Sequence, residues 1–238
     1  AGRRHQPATA SSFDTWTSFF GRSEHAASTT ISYYDIGAGL GLLLDLKVRE
    51  ASKGRSSLDD VMRTLYRTFY KEKKRGFTDL EFRETCERAA GAPLAEIFDV
   101  YAATVDEWDY AKYLGYAGLA IDVEPRPASD IWFGASTQDQ NGNPVVSSVE
   151  PDSPASLAGL SAQDEIVAFD GARVTQRSLA GTVNSRKPGD KVKVLYARRG
   201  TVRETEVTVG KKTERSFRIT PIADPLPGQK ALLDAWLK

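Results

Sequence analysis

Few side chains in this sequence have the type and spacing to make or break a bond. Its two histidines, His5 and His25, are twenty residues apart, and neither is followed by glutamate. A hydrolytic metal centre asks for imidazoles about one helical turn apart, with a further ligand to complete the set. The only cysteine, Cys86, can form neither a ligand cluster nor an intrachain disulfide, and it reads as a small apolar residue buried in a helix. No metal ligand is assigned. Gly37, Gly39 and Gly41 lack the spacing of a dinucleotide fingerprint: Leu42 stands where the third glycine should be, and no strand of a βαβ unit leads in. Lys71-Glu72-Lys73-Lys74-Arg75 sits at a helix end, where cations suit the macrodipole, and reads as a solvated face rather than a nucleic-acid patch. Asp106, Glu107 and Asp109 flank Trp108 and Tyr110 in a loop. They could meet a substrate amine, but surface acidity is the better reading.

These groups must be held by ordinary globular elements. Apolar residues make up 40% of 238 and charged residues 27%, enough for a core in one large domain or two ordinary ones. Net charge is zero, so no global field favours nucleic acid or an anionic membrane. The most apolar run, 36–46, is too short to span a bilayer and is interrupted by Asp45, so it reads as a buried helix. Its glycines are expected to let a neighbouring helix approach. A second helix carries Leu58, Val61, Leu65 and Phe69 at helical spacing after Ser56 and Ser57. Thr78 with Glu81 is a capping box for a third helix ending at Gly91, and Ile97, Phe98 and Tyr101 share one face of a fourth. A connector follows, with one short strand at 120–123 closed by Pro125 and Pro127.

The next part is β-rich. Ser153-Pro154-Ala155-Ser156-Leu157-Ala158-Gly159-Leu160 predicts a short helix that begins at Pro154 and ends at Gly159. A strand holding Ile166, Ala168 and Phe169 follows, then the tight turn Asp170-Gly171. Asn141-Gly142 predicts a hairpin turn between 131–137 and 145–149, and 178–184 fits one more short helix. This order resembles a PDZ domain of the bacterial, protease-associated type. In that family a peptide-binding loop of two bulky residues, glycine and a small apolar residue lies near the domain's start; here it is Trp132-Phe133-Gly134-Ala135, with Ala135 smaller than usual. Backbone N–H groups there converge on a terminal carboxylate, and glycine lets the main chain come close. By the resemblance the peptide adds as a strand beside Ala135, Ser136 and Thr137, facing the helix that carries Leu179 and Val183. Gly134→Trp is then expected to block carboxylate-terminated peptides without unfolding the domain. The competing reading has Trp132 and Phe133 filling the core.

The first half carries a second resemblance. Ser11-Ser12-Phe13-Asp14-Thr15-Trp16, Ile31-Ser32-Tyr33-Tyr34-Asp35-Ile36-Gly37-Ala38, Leu42-Leu43-Leu44-Asp45-Leu46 and the late Pro221-Ile222-Ala223-Asp224-Pro225 are similar to the region after the active site in glycyl-aminopeptidase-type zinc metallopeptidases. That family joins a thermolysin-like domain to a helical region and a C-terminal PDZ domain. The resemblance implies zinc in the parent enzyme, none in this chain, and cleavage after N-terminal glycine or another small residue. It makes Tyr34 the oxyanion stabiliser of the parent only, although Ile36 stands where lysine is common.

The reading is an α+β multidomain chain, with an α-helical N-terminal region and a PDZ-like β-barrel or sandwich domain. Residues 1–115 are the helical C-terminal part of a thermolysin-like peptidase domain, and 116–128 a linker with a short strand. Residues 129–212 are the PDZ-like domain, and 213–238 a C-terminal tail with a short helix. The expected function is that of a C-terminal fragment of a zinc aminopeptidase, inactive alone. Its partners would be peptides, protein C-termini and the missing catalytic domain, with no nucleic acid and no membrane span. The compartment is left between bacterial cytoplasm and periplasm. The alternative is a non-enzymatic PDZ adaptor or a catalytically dead scaffold.

Overall fold

The computed structural model describes residues 2–20 and 30–237; His25 lies outside them. The short helices α1 (Ala8–Phe13) and α2 (Thr15–Phe20) precede the long α3 (Tyr33–Ala51). Ser32 caps α3 by accepting a hydrogen bond from the Asp35 N–H at 3.3 Å. Leu43, Leu44, Leu46 and Val48 bury one side of it. Asp45, which breaks the apolar run, accepts from the Leu58 N–H at 2.8 Å and from Arg49 Nε at 2.9 Å. It therefore pins the start of α4 (Leu58–Leu65) from thirteen residues away. The helix continues as a π-helical turn over Tyr66–Glu72, keeping Val61, Leu65 and Phe69 buried.

The capping box of α5 (Asp79–Ala90) is present as the sequence predicts, and Gly91 closes the helix at φ 68°. A second π-helical segment, Glu96–Tyr101, buries Ile97 and Tyr101, and α6 (Tyr110–Tyr116) follows. The glycines of α3 behave differently from expectation. Among contacts with the described residues, only Gly39 is closely approached, and by the Trp108 side chain rather than a helix: a Cβ there would lie 2.5 Å from Trp108 Cζ3. A Cβ at Gly37 or Gly41 would meet none of the described residues within 4 Å.

Strand β1 (Leu119–Trp132) runs through the expected connector and pairs with β8 (Gly210–Pro221) in a two-stranded sheet. The expected strand at 120–123 was too short because the prolines do not end it. They are tolerated because a two-stranded ribbon leaves one strand edge free of ladder bonds. Between these strands lie β2 (Ala135–Gln140), β3 (Asn143–Val149), α7 (Pro154–Leu157) and β4 (Glu165–Phe169). Then come β5 (Ala172–Arg173), α8 (Gln176–Asn184), β6 (Lys191–Arg198) and β7 (Thr201–Thr208). The sheet order is β2-β3-β4-β6-β7, with β5 on β4. The sheet is open, which corrects the barrel expectation: β2 and β7 end the order instead of closing it.

The chain divides into two compact units. One holds Gln6–Asp14, Ile31–Val123 and the chain from Phe217 on; Glu124–Ser216 forms the body of the other. Helix α9 (Pro227–Trp236) returns to the helical unit, where Leu232 joins its core and Gln229 Nε2 donates to the Gly115 carbonyl at 2.7 Å. In the β-rich unit, Phe133, Val146, Ile166, Phe169, Val192 and Val194 are among the core residues. Its one fully buried carboxylate, among the described residues, is Asp164. Arg198 Nε and Nη2 each donate to it at 2.7 Å, and the Ser161 N–H donates at 2.8 Å. That bidentate pairing keeps the buried charge compensated.

Candidate functional site

Gly134 breaks the strand expected over 131–137 into β1 and β2, because its φ is +84°. The Phe133 carbonyl accepts from the Ala155 N–H at 2.9 Å, and the Gly134 carbonyl from the Glu150 N–H at 2.8 Å. A planar peptide points its C=O and N–H in opposite directions. The Gly134 and Ala135 N–H groups therefore turn away from these partners. Ala135 lies opposite Val149, and the bond from Glu150 N–H to Gly134 marks that pair as non-hydrogen-bonded. Ala135 thus offers its own N–H and C=O to the free edge of β2, the last strand of the sheet.

Facing that edge is α8, capped by Thr175, whose hydroxyl accepts from the Ser178 N–H at 3.2 Å. A groove of about 410 Å³ lies between them. All eight residues singled out in the β-rich part line it: Trp132, Phe133, Gly134, Ala135, Ser136 and Thr137 on one wall, Leu179 and Val183 on the other. Phe133 and Leu179 are themselves buried, so they serve core and groove at once.

Other lining residues gave no signal in the sequence. Gln176, two residues before the expected helix start, donates from Nε2 to the Thr137 carbonyl at 3.5 Å; its Oε1 is buried with no hydrogen-bond partner among the described residues. Glu150 and Lys212 line the loop end of the groove, where Lys212 Nζ lies 2.9 Å from Glu150 Oε1. Trp132 Nε1 donates to Glu150 Oε2 at 3.2 Å. Gln176, Glu150 and Lys212 belong to separate stretches of sequence, so no local pattern announces them.

Tyr34 stands apart from this groove, in the first turn of α3 in the helical unit. Its side chain is 73% exposed and its ring lies 4.2 Å from that of Tyr33. The neighbouring Tyr34 phenol is the main cause that raises the Tyr33 pKa. The helical unit has its own apolar groove of about 1220 Å³, with Leu40, Leu44, Leu58, Ile97 and Phe98 in its lining and Phe13, Met62 and Leu80 exposed beside them.

The remaining sequence candidates take structural roles. Asp109 caps α6 by accepting from the Lys112 N–H at 2.9 Å, and Trp108 Nε1 donates to the Tyr101 carbonyl at 3.1 Å. In the charge run, Lys71 and Lys73 sit over aromatic rings, and Arg75 pairs with Glu81 at 2.6 Å. Cys86 is buried, and desolvation pushes its thiol up to about 12. Among the described residues, no group of three or more His, Cys, Asp or Glu could hold a metal ion. The side chains described here do not fit a zinc site. Among the described residues, no helix is long and apolar enough to cross a membrane.

Comparison with known proteins agrees with this architecture. Residues 132–209 match the family model described as a PDZ domain, so the β-rich unit is a PDZ domain following a helical region. The whole chain aligns with the crystal structure of an aminopeptidase N family protein from Idiomarina loihiensis, with 26% identity and a TM-score of 0.78. The chain spans 41% of that protein's length. A serine endoprotease from Yersinia pestis aligns over 35% of this chain and 29% of its own, at 23% identity and TM-score 0.32. An HtrA-type protease with a decapeptide aligns over 35% and 30%, at 24% identity and TM-score 0.32. Scores that low carry no argument. No curated protein matches the chain.

Proposed function

We propose that this chain is the helical and PDZ-bearing portion of an aminopeptidase-like protein, and that its PDZ domain captures the C-terminal ends of peptides or proteins. The observation that carries the reading is the groove. An unpaired strand edge, a loop of outward N–H groups at Gly134 and Ala135, and an apolar wall at Leu179 and Val183 converge on one space. Main-chain pairing along Ala135–Thr137 would supply affinity, and the Leu179–Val183 wall would select an apolar last side chain. The match of the entire chain to an aminopeptidase N family protein favours a peptidase-associated role over a free-standing adaptor.

For the whole protein, the reading carried forward is removal of N-terminal glycine or other small residues. The described residues supply no metal ligand set for that reaction. Tyr34 is the group this chain would contribute to chemistry, as a phenol donor to a developing oxyanion. Such donors are worth about 2.7–4 kcal/mol in a water-excluded site. The exposed ring of Tyr34 would reach that condition only beneath a covering part of the protein. The exposed apolar groove of the helical unit supports such a cover, because a patch of that kind marks an interaction surface.

The test uses the full chain and a fluorescein-labelled decapeptide library randomised at its last four positions, made as free acids and as amides. Binding of the acids, lost in Val183→Asp with an unchanged circular dichroism spectrum, is the expected result. No binding of any acid pool above a blank would sink the capture reading.

A further inference from the structure

The loop end of the groove carries a charge arrangement that the PDZ match alone does not account for. Lys212 lies in β8, beyond the matched residues 132–209, yet its ammonium reaches the groove. There it meets Glu150, whose backbone N–H is bonded to the Gly134 carbonyl and is thereby fixed beside the glycine loop. The Glu150 carboxylate spans two partners, Lys212 Nζ through Oε1 and Trp132 Nε1 through Oε2. The Trp132 indole in turn walls the loop, since its Nε1 would stand 3.2 Å from a Cβ at Gly134. A carboxylate, a cation and the oriented N–H groups of Gly134 and Ala135 therefore share one corner of the groove.

We propose that Glu150 is a gate on this site: the terminal carboxylate of a bound peptide takes Lys212 from Glu150, and Lys212 becomes the counter-ion of the ligand. The inference rests on the peptide-capture reading and adds to it a side-chain counter-ion for the ligand's terminal carboxylate, with Glu150 as its competitor. Two carboxylates cannot both use one ammonium at full strength, and their mutual repulsion opposes ligand entry. The pair is partly exposed, with side-chain exposures of 33% for Lys212 and 45% for Glu150, so each effect has the size of a screened surface pair. Glutamine at 150 would keep an acceptor for the Trp132 indole while removing the competing charge. Methionine at 212 would keep the stem of the lysine and remove the cation.

The experiment measures affinity of the same acid and amide decapeptide pools for wild type, Glu150→Gln and Lys212→Met, all as full chains. Glu150→Gln is expected to bind the acids about two- to fivefold tighter than wild type and the amides equally well, the range of one partly exposed ion pair. Lys212→Met is expected to weaken acid binding by a similar factor and leave the amides unchanged. Raising salt from roughly 0.05 to roughly 0.5 M should narrow the acid–amide difference of wild type. Acids that bind wild type and both variants alike would overturn the gate and leave the capture reading standing. Absence of acid binding in wild type and both variants would overturn both.

Discussion

Replacing Gly134 by alanine tests whether the groove loop is held by packing as tightly as its geometry states. Two independent costs apply. The residue sits at φ +84°, where a side chain costs roughly 1–2 kcal/mol. A Cβ would also fall onto the Ser153 Cβ and lie 2.5 Å from its Oγ. Ser153 is fully buried, so that overlap has no easy relief and adds about 1–3 kcal/mol. Gly134→Ala should therefore destabilise the β-rich unit by about 2–5 kcal/mol, the sum of the two contributions. Removing the opposing side chain separates them. Ser153 caps α7 by accepting from the Ser156 N–H at 3.1 Å, and its hydroxyl donates to the Gly134 carbonyl at 3.3 Å; Ser153→Gly gives up both bonds, a loss shared by both arms of the cycle with Gly134→Ala. In a Ser153→Gly background, Gly134→Ala should recover about 1–3 kcal/mol and keep the backbone cost. The assay is urea unfolding of the full chain followed at the Trp132 indole resonance, which reports on this unit. A Gly134→Ala effect within about 0.5 kcal/mol of wild type, the ordinary range for a surface change, would refute the reasoning. So would an effect unchanged by Ser153→Gly. The same geometry corrects the expectation that Gly134→Trp would block peptides without unfolding. A far larger side chain in that space would disrupt the loop itself, so lost binding in that variant would not identify the groove.

Two further perturbations probe the helical unit. Gly39→Ala should destabilise it by about 1–3 kcal/mol through the Trp108 contact. Gly37→Ala and Gly41→Ala, whose Cβ meets none of the described residues, should each stabilise it by about 0.5–1 kcal/mol in thermal or urea unfolding; equal effects at all three positions would contradict the packing argument. Glu81 has its pKa lowered to about 2, first by its hydrogen bond with Arg75 and then by the Thr78 N–H. A depressed carboxylate stabilises the fold above its ordinary pKa of 4.5, and that share is lost as pH falls toward 2. The stability difference between wild type and Glu81→Gln should accordingly shrink between pH 4.5 and 2, and a difference independent of pH would exclude the linkage.

What the sequence determined by itself was whatever is written within a few neighbouring residues. The Thr78–Glu81 capping box, the stop at Gly91 and the tight turn at Asn141-Gly142 depend on spacing and on backbone freedom. The helix from Pro154 to the left-handed Gly159 does so as well. The eight groove residues were legible only through the resemblance to a PDZ domain that the run from Ser153 to Gly171 carries. Tertiary structure decided whatever joins distant stretches. Prolines near 125 suggested an end to pairing, but β8 supplied a partner strand that the local pattern does not encode. Asp45 looked like an interruption until α4 brought the Leu58 N–H to it. The closing helix returned to the helical core, and Glu150 met Lys212 across 62 residues. Local propensity acts over a turn or two of chain, whereas an ion pair or a β-ladder depends on which surfaces folding brings together. That is why the groove's walls could be anticipated from a resemblance carried by local motifs while the charges at its mouth could not.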